Sequence, residues 1–266
     1  MRGLYTNSYN NYYTNIYNNS LSAKGDCILD ELKVNNLRMM VEILQQYKSL
    51  NVNGSKFFYY SYGKLDVKIQ AILKENDKTY EEVQDMDCLD LSINISYDEI
   101  KSLTKRNRIE RRDIDNIVKD IKNNSMITLE DEDKIKLVSI YDCITIDKKS
   151  KRVIVEFNKN AVLLFQGIRQ YAYSNINFND IVNLKNVYEV NLYLYAITIL
   201  RGSKGVVNIK IDTLREILAN DSKIDDYHFV SRFVNKPARS ITNNEDIKLT
   251  IVPIRTNDII HFNVYK

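Results

Sequence analysis

Apolar residues recur at helical spacing between residues 27 and 50, where Ile28, Leu32, Leu37, Met40, Val41, Leu44 and Tyr47 share one stripe. The pattern returns over 65–73 (LDVKIQAIL), so two helices are expected before residue 75. Residues 91–95 then alternate as a strand, and Ser96 with Glu99 has the spacing of a capping box, which starts a short helix carrying Ile100 and Leu103. That helix should end near Thr104. Lys105, Arg106, Asn107 and Arg108 lead into a second helix that turns Ile114, Ile117, Val118 and Ile121 inward. Alternating segments at 126–129, 135–146 and 152–157 predict strands, with DKKSKR at 147–152 as a hairpin tip.

Strand, helix, turn, helix and basic hairpin is the order of a winged helix, and the order recurs. A strand at 206–211, a short helix at 211–218, a longer one at 226–243 and a hairpin of 247–252 with 259–265 repeat it. Placed over one another, Ile95, Ile100 and Leu103 fall on Ile209, Leu214 and Ile217. Likewise Ile114, Ile117, Val118, Ile121, Ile127 and Leu129 fall on Val234, Pro237, Ala238, Ile241, Ile247 and Leu249. Between the copies, 179–200 reads as one long helix with Tyr188, Leu192, Tyr195 and Ile199 on one side, and Asn158 caps a shorter helix through Phe165. The fold class expected is α+β, two tandem winged-helix domains at 26–168 and 169–266. Residues 1–25 are Asn, Tyr and Ser in low-complexity order; they bury too little to offset ordering entropy and should be a disordered tail.

The candidate chemistry lies on the second helix of each copy. Over 226–243, Phe229, Phe233, Val234, Ala238 and Ile241 form an apolar stripe, and Arg232, Asn235, Lys236, Arg239 and Asn243 fill the opposite one. Pro237 lacks a backbone donor and clashes with the carbonyl four residues back, so this helix should kink or begin its second half there. The first copy offers Arg108, Arg112, Asn116, Lys119 and Asn123, with Arg111 alongside. These residue types suit a duplex: a helix fits the major groove, Arg pairs bidentately with guanine, Asn pairs with adenine, and further cations neutralise phosphates. Hairpin tips bearing Lys148, Lys149, Lys151 and Arg152, or Arg255, reach for flanking backbone. One such stripe alone is what a solvated helix face looks like; two on matching helices favour DNA binding.

Overall charge adds little, because 38 basic against 35 acidic residues leave a net charge of +3, so any footprint must be local. Hydrophobic content of 44% with 27% charged residues is that of a globular protein. Three cysteines, Cys27, Cys88 and Cys143, without a C-x-x-C pair, point to reduced thiols rather than a disulfide framework or zinc site. No apolar run approaches the ~20 residues of a membrane span, and the N-terminal stretch lacks a secretory apolar core, so a cytoplasmic location is expected. RGSKG at 201–205 lacks the spacing of a phosphate-binding loop and reads as a tight turn into a strand. The acidic cluster at 130–133 falls in a predicted turn. His228 and His261 are the two histidines, too few for the paired-histidine metal centre of a nickase, and His228 fits a helix-end role. No metal, cofactor or catalytic activity is expected, although 19 tyrosines leave a tyrosine nucleophile open.

Three segments carry a resemblance. L-K-N-V-Y-E-V-N-L-Y at 184–193 looks like an L-x-S-x-Y-x-x-x-L-Y helix, I-K-I-D-T-L-R-E-I-L at 209–218 follows, and F-V-S-R-F-V-N-K-P-A-R-S-I-T at 229–242 is similar to F-x-x-x-V-x-x-P-A-x-x-E-I-N. These segments resemble the Rep_3-type plasmid replication initiators, a family of tandem winged-helix proteins that bind repeated origin sequences, and the resemblance extends from about Leu65 onward. Phe229, Val234, Pro237, Ala238 and Ile241 match. Asn186 stands in place of the usual serine, Asn191 in place of a frequent basic residue, and Ser240 and Thr242 flank Ile241 where Glu and Asn are common. The resemblance implies a plasmid or plasmid-like phage initiator, a homodimer in equilibrium with monomer. Its C-terminal copy reads bases, its N-terminal copy dimerises or touches backbone, dimer dissociation favours initiation, and its partners are origin repeats with host initiator and helicase proteins. The alternatives are a winged-helix transcriptional regulator on an inverted promoter site, a tyrosine-dependent origin nickase, and an interaction protein whose basic stripes bind an acidic partner.

Overall fold

A computed structural model of the protein describes residues 36–40, 50–78, 90–124, 126–130, 135–159, 173–200, 203–218 and 223–266. The chain enters through strand β1 (Asn36–Met40) and helix α1 (Val52–Glu75), whose N-cap Asn51 accepts from the amides of Asn53 and Gly54 at 3.0 and 2.9 Å. The first winged helix follows as β2 (Ser92–Ser96), α2 (Tyr97–Thr104), α3 (Arg111–Asn123), β5 (Tyr141–Asp147) and β6 (Arg152–Phe157). A separate hairpin, β3 (Met126–Glu130) and β4 (Ile135–Ser139), lies between α3 and β5. The predicted capping box forms. Ser96 Oγ accepts the Glu99 amide at 3.1 Å, and the Glu99 carboxylate accepts the Ser96 amide at 2.6 Å. Lys105 closes α2 in the left-handed region, φ 51°, so the chain turns at once toward α3.

Past β7 (Tyr173–Asn177), the second copy comprises helices α4 (Phe178–Asn183) and α5 (Val187–Ile199), strand β8 (Lys204–Lys210), helix α6 (Ile211–Ile217), a long helix α7 (residues 226–242), and strands β9 (Thr250–Thr256) and β10 (Ile259–Tyr265). Its sheet order β8-β10-β9 repeats the β2-β6-β5 order of the first copy. The equivalence extends to single atoms. The amide of Tyr97, first residue of α2, donates to Lys151 O at the first hairpin tip (3.0 Å), and the amide of Ile211, first residue of α6, donates to Asp258 O at the second (2.9 Å). In each sheet the last strand lies in the middle and gives its alternate residues to the core: Val153, Val155 and Phe157 in one, Ile260, Phe262 and Val264 in the other, all at most 3% exposed. Ile100, Leu103, Ile114, Ile117 and Ile121 cover the first sheet, and Leu214, Leu218, Val234, Ala238 and Ile241 the second. Leu218 occupies the buried place expected for Ile217, which is half-exposed.

Several expectations are corrected. Asn36–Met40 is a strand, paired antiparallel with Tyr173–Asn177, rather than part of a helix over 27–50. Its partner lies beyond the whole first copy, a non-local pairing that overrides local helical spacing. The helix read at 65–73 begins at Val52, the strand read at 135–146 is interrupted at Ile140, and the long helix read at 179–200 is two helices parted at Leu184 to Asn186. Asn186 caps the second of these, accepting the Glu189 amide at 3.0 Å. The expected tail at 1–25, the Asn158-capped helix beyond residue 159, the acidic residues 131–133 and both Cys27 and Cys88 lie outside the described residues. Cys143 is a free, exposed thiol. Among the described residues no helix is long and apolar enough to cross a membrane.

Gly205 marks where β8 passes closest to the end of α5. A Cβ there would lie 2.5 Å from the Ile199 carbonyl oxygen and 2.8 Å from its carbon, both backbone atoms. Gly205→Ala should therefore force β8 off α5 and destabilise the fold by about 1–3 kcal/mol, measured as a lowered urea midpoint at unchanged m-value.

Candidate nucleic-acid interface

Helix α7 is built in three parts: an α-helical turn Asp226–Phe229, a π-helical segment Val230–Asn235 and an α-helical segment Lys236–Thr242. Pro237 explains the middle part. It removes the donor that would bond to the Phe233 carbonyl, and its ring crowds that carbonyl. The chain answers by widening: the Lys236 amide donates to Ser231 O, five residues back, while φ and ψ stay right-handed helical at Phe229, Val230, Asn235 and Lys236. The second α-helical segment thus begins at Lys236 with Pro237 in its first turn, as the sequence led one to expect, and the π turn keeps it continuous with the first.

One face of α7 is fixed by packing. Phe229, Val234 and Ile241 are fully buried, Ala238 is 1% exposed, and the Phe233 ring meets the Tyr188 ring of α5 edge-on at 4.6 Å. Asp225 caps the first turn through the His228 amide at 3.0 Å, and its second oxygen lies 2.6 Å from His228 Nδ1. These contacts hold the Asp225 carboxyl below the usual carboxylate range, and they place His228 at the helix end as expected. Arg215 of α6 braces the same turn: its guanidinium lies 4.2 Å over the Phe229 ring and 3.0 Å from Asp226 Oδ1. At the other end the Ile251 amide of β9 donates to Thr242 Oγ1 at 3.0 Å.

The opposite face is presented to solvent. Arg232, Lys236, Arg239 and Asn243 are exposed and Asn235 is half-buried, so the predicted stripe is assembled on one surface. Among the described residues none of Arg232, Lys236 and Arg239 has an ion-pair partner. The sequence reading passed over Ser231 and Tyr227, both exposed at the entry to this face, Tyr227 at 71%. Their three-to-four spacing from Asn235 and Ser231 respectively was the available signal. Arg255 on the second wing is already engaged, donating to Asn257 O at 2.8 Å and lying 3.8 Å from Asp226.

The first copy presents the same surface with a different charge balance. Arg108, Arg111, Arg112, Asn116, Lys119 and Asn123 are all exposed on or just before α3. Carboxylates of the same segment answer two of them and the neighbouring Arg106: Arg106 bonds to Asp113, Arg108 lies 4.0 Å from Glu110, and Arg111 lies 3.7 Å from Asp115 one turn on. Exposed pairs of this kind are worth roughly 0–1 kcal/mol, so they exchange readily for a phosphate but reduce the field of the helix. Lys148, Lys149 and Lys151 are exposed at the first wing tip, which Asp147 closes by accepting the Lys149 and Ser150 amides at 2.9 and 3.1 Å. Arg152 is exposed beside Asp147, its partner in the strand register. Asn191, aligned with a basic position of the family pattern, is 5% exposed and turned toward Leu218 O, away from this surface. Among the described residues no group of three or more His, Cys, Asp or Glu is placed to hold a metal ion.

No protein-family model matches the chain, and no curated protein matches it. A Pi initiator protein, crystallised in complex with iteron DNA, superposes with a TM-score of 0.60 at 13% identity, over 87% of this chain and 97% of its own. Domains 2 and 3 of RctB give a TM-score of 0.41 at 12% identity, over 65% of this chain and 74% of theirs. At such identities the first likeness is one of fold.

Because Arg215 ties α6 to the first turn of α7, Arg215→Ala should lower stability by about 1–2 kcal/mol through loss of the ring contact and ion pair. The loss should be local first, seen as faster amide exchange at His228 and Phe229 than at Ile241.

Proposed function

We propose that the protein is a replication initiator that binds repeated duplex sites at an origin, with α7 as its principal reader. The observation that carries this reading is the α7 surface: three cations without ion-pair partners among the described residues, interleaved with Asn235 and Asn243, on the second helix of a winged helix. A helix of this kind enters the major groove, where Arg and Asn read base edges and Lys neutralises phosphate. The α3 surface and the first wing supply a second footprint of phosphate contacts. The shared fold with an initiator crystallised on iteron DNA supports the assignment, as do the family-like segments at 184–193, 209–218 and 229–242.

The finer reading is a Rep_3-type initiator of a plasmid or plasmid-like phage, acting in the cytoplasm without catalysis. It binds direct repeats, passes between dimer and monomer, helps open an adjacent AT-rich segment and recruits host initiator and helicase proteins.

Arg232→Ala or Arg239→Ala should each weaken binding to the repeats by about 1–3 kcal/mol. Lys236→Ala should lower the slope of log K against log salt by about one. Unchanged affinity and slope in all three variants would remove α7 from the interface. Footprinting should protect several repeats in one direction, whereas a transcriptional regulator would protect an inverted site. Incubation with supercoiled origin DNA and magnesium should leave no covalent protein–DNA adduct; an adduct at a tyrosine would replace this reading with that of a nickase.

A further inference from the structure

The two copies are joined by more than apolar packing. Two lysines, one on α1 and one at the end of α2 in the first copy, converge on the C-terminal turn of α4, the first helix of the second copy. Lys56, buried on α1, donates from Nζ to Val182 O at 2.8 Å. Lys105, the left-handed residue that closes α2, donates from Nζ to Asn183 Oδ1. The last carbonyls of a helix have no partner within it and carry the negative end of its dipole, so two ammonium groups fit this turn. Burial pulls the Lys56 pKa down to about 8, Lys105 adds to the fall, and Glu189 opposes it. Glu189 is itself buried in the first turn of α5, held by the Lys185 amide at 2.6 Å and Asn186 Nδ2 at 2.8 Å. Beside this polar cluster the Tyr60 ring of α1 packs on the Phe178 ring of α4, centroids 5.4 Å apart.

Lys105 also stands in the turn that aims α3, directly before Arg106 and three residues before Arg108. The turn that directs the first reading surface is therefore bonded to the helix that introduces the second copy. We infer that Lys56 and Lys105 are positioning residues that fix the offset between the α3 and α7 surfaces, so that the protein measures the spacing between two parts of one duplex site. This inference rests on the reading of α3 and α7 as DNA-facing. Its physical basis is effective concentration: once α7 is seated, a rigid joint presents α3 at high local concentration to one spacing and at almost none to others. A loosened joint spreads that concentration over several spacings. Phosphate contacts carry no sequence information themselves, so a rigid joint converts them into a ruler.

The test uses the full chain and synthetic duplexes. A site selected by the wild-type protein from random duplex is footprinted, and two base pairs are inserted between the segments protected by α7 and by α3. Wild type should lose tenfold or more in affinity on insertion. Lys105→Ala and Asn183→Ala should each reduce that penalty at least threefold while binding the isolated α7 segment within twofold of wild type, and Lys105→Arg should retain the penalty. An unchanged penalty in both alanine variants overturns the inference. A DNA-free measurement separates its failure from failure of the DNA reading: nitroxide labels at Glu156→Cys and Lys248→Cys, with the chain's three cysteines changed to serine, report the distance between copies. Lys105→Ala should broaden that distance distribution. An unaltered width overturns the positioning role, and a broadened width with no preference of wild type for any duplex overturns the DNA reading instead.

Discussion

The arrangement depends on one helix that is covered on every side. From Gly54 to Gly63 every residue of α1 is buried, including Phe57, Phe58, Tyr59, Tyr60 and Tyr62. A helix with no solvated face can be satisfied only between two bodies, and α1 meets α2, α3 and β2 of the first copy and α4 and α5 of the second. The consequences are chemical as well as geometric. Polar groups carried into this layer must find partners there: Tyr60 donates to Glu99 at 2.6 Å, Ser61 to Phe58 O at 2.8 Å, and the Asn51 amide at the helix start to Asp120 of α3 at 3.0 Å. Burial pushes the Tyr59 hydroxyl well above its ordinary pKa, so it stays neutral. The long aromatic helix is thus the common wall of two cores, and the second half of α1, with Leu65, Ile69 and Leu73 inward, is an ordinary amphipathic helix.

That division explains which parts of the fold could be read from the residues. Where one face is wet, periodicity shows: the alternation in β6 and β10, the stripe of α7 and the capping box at Ser96 all have local causes, and the duplication emerged from their order. The FFYYSY run at 57–62 has no wet face and so no period, and α1 was legible only from Leu65 onward. β1 was misread because its hydrogen bonds go to β7, which no local pattern announces. The parting of α4 from α5 did carry a signal, since Asn186 and Glu189 have N-cap and N3 spacing; the apolar run on either side masked it.

On the exposed faces of α3 and α7, position was legible and field strength was not. Spacing alone placed the cations of both copies correctly, because burial of the apolar stripe decides what remains outside. Whether those cations are available depends on neighbours. Arg111 and Asp115 are one turn apart on α3, and Asp113 folds back to Arg106. On α7 the one carboxylate, Asp226, is held at the first turn by Arg215, remote from Arg239. Two copies with the same topology, and even the same amide-to-carbonyl bond at the hairpin tip, therefore differ in the charge they offer a polyanion.

Pro237 bears on that difference. A proline in a helix interior ordinarily costs about 3 kcal/mol through a lost bond and a steric clash. Here the clash falls on the Phe233 carbonyl, in the segment that carries Arg232, Asn235 and Lys236, and the wider π turn relieves it without breaking the helix. Val230 and Val234 within the π segment are buried, and so is Pro237 just beyond it, so the wider turn is part of the packed side of the helix as well as of the side that carries the cations. Such segments persist where the surrounding packing over-determines them, and α7 is held at both ends, by Arg215 and Asp225 at the start and by Thr242 on β9 at the finish. Arg232 lies within the π turn and Arg239 beyond it, so the relative directions of the two are set together with the packing of Val230, Val234 and Pro237 in the core.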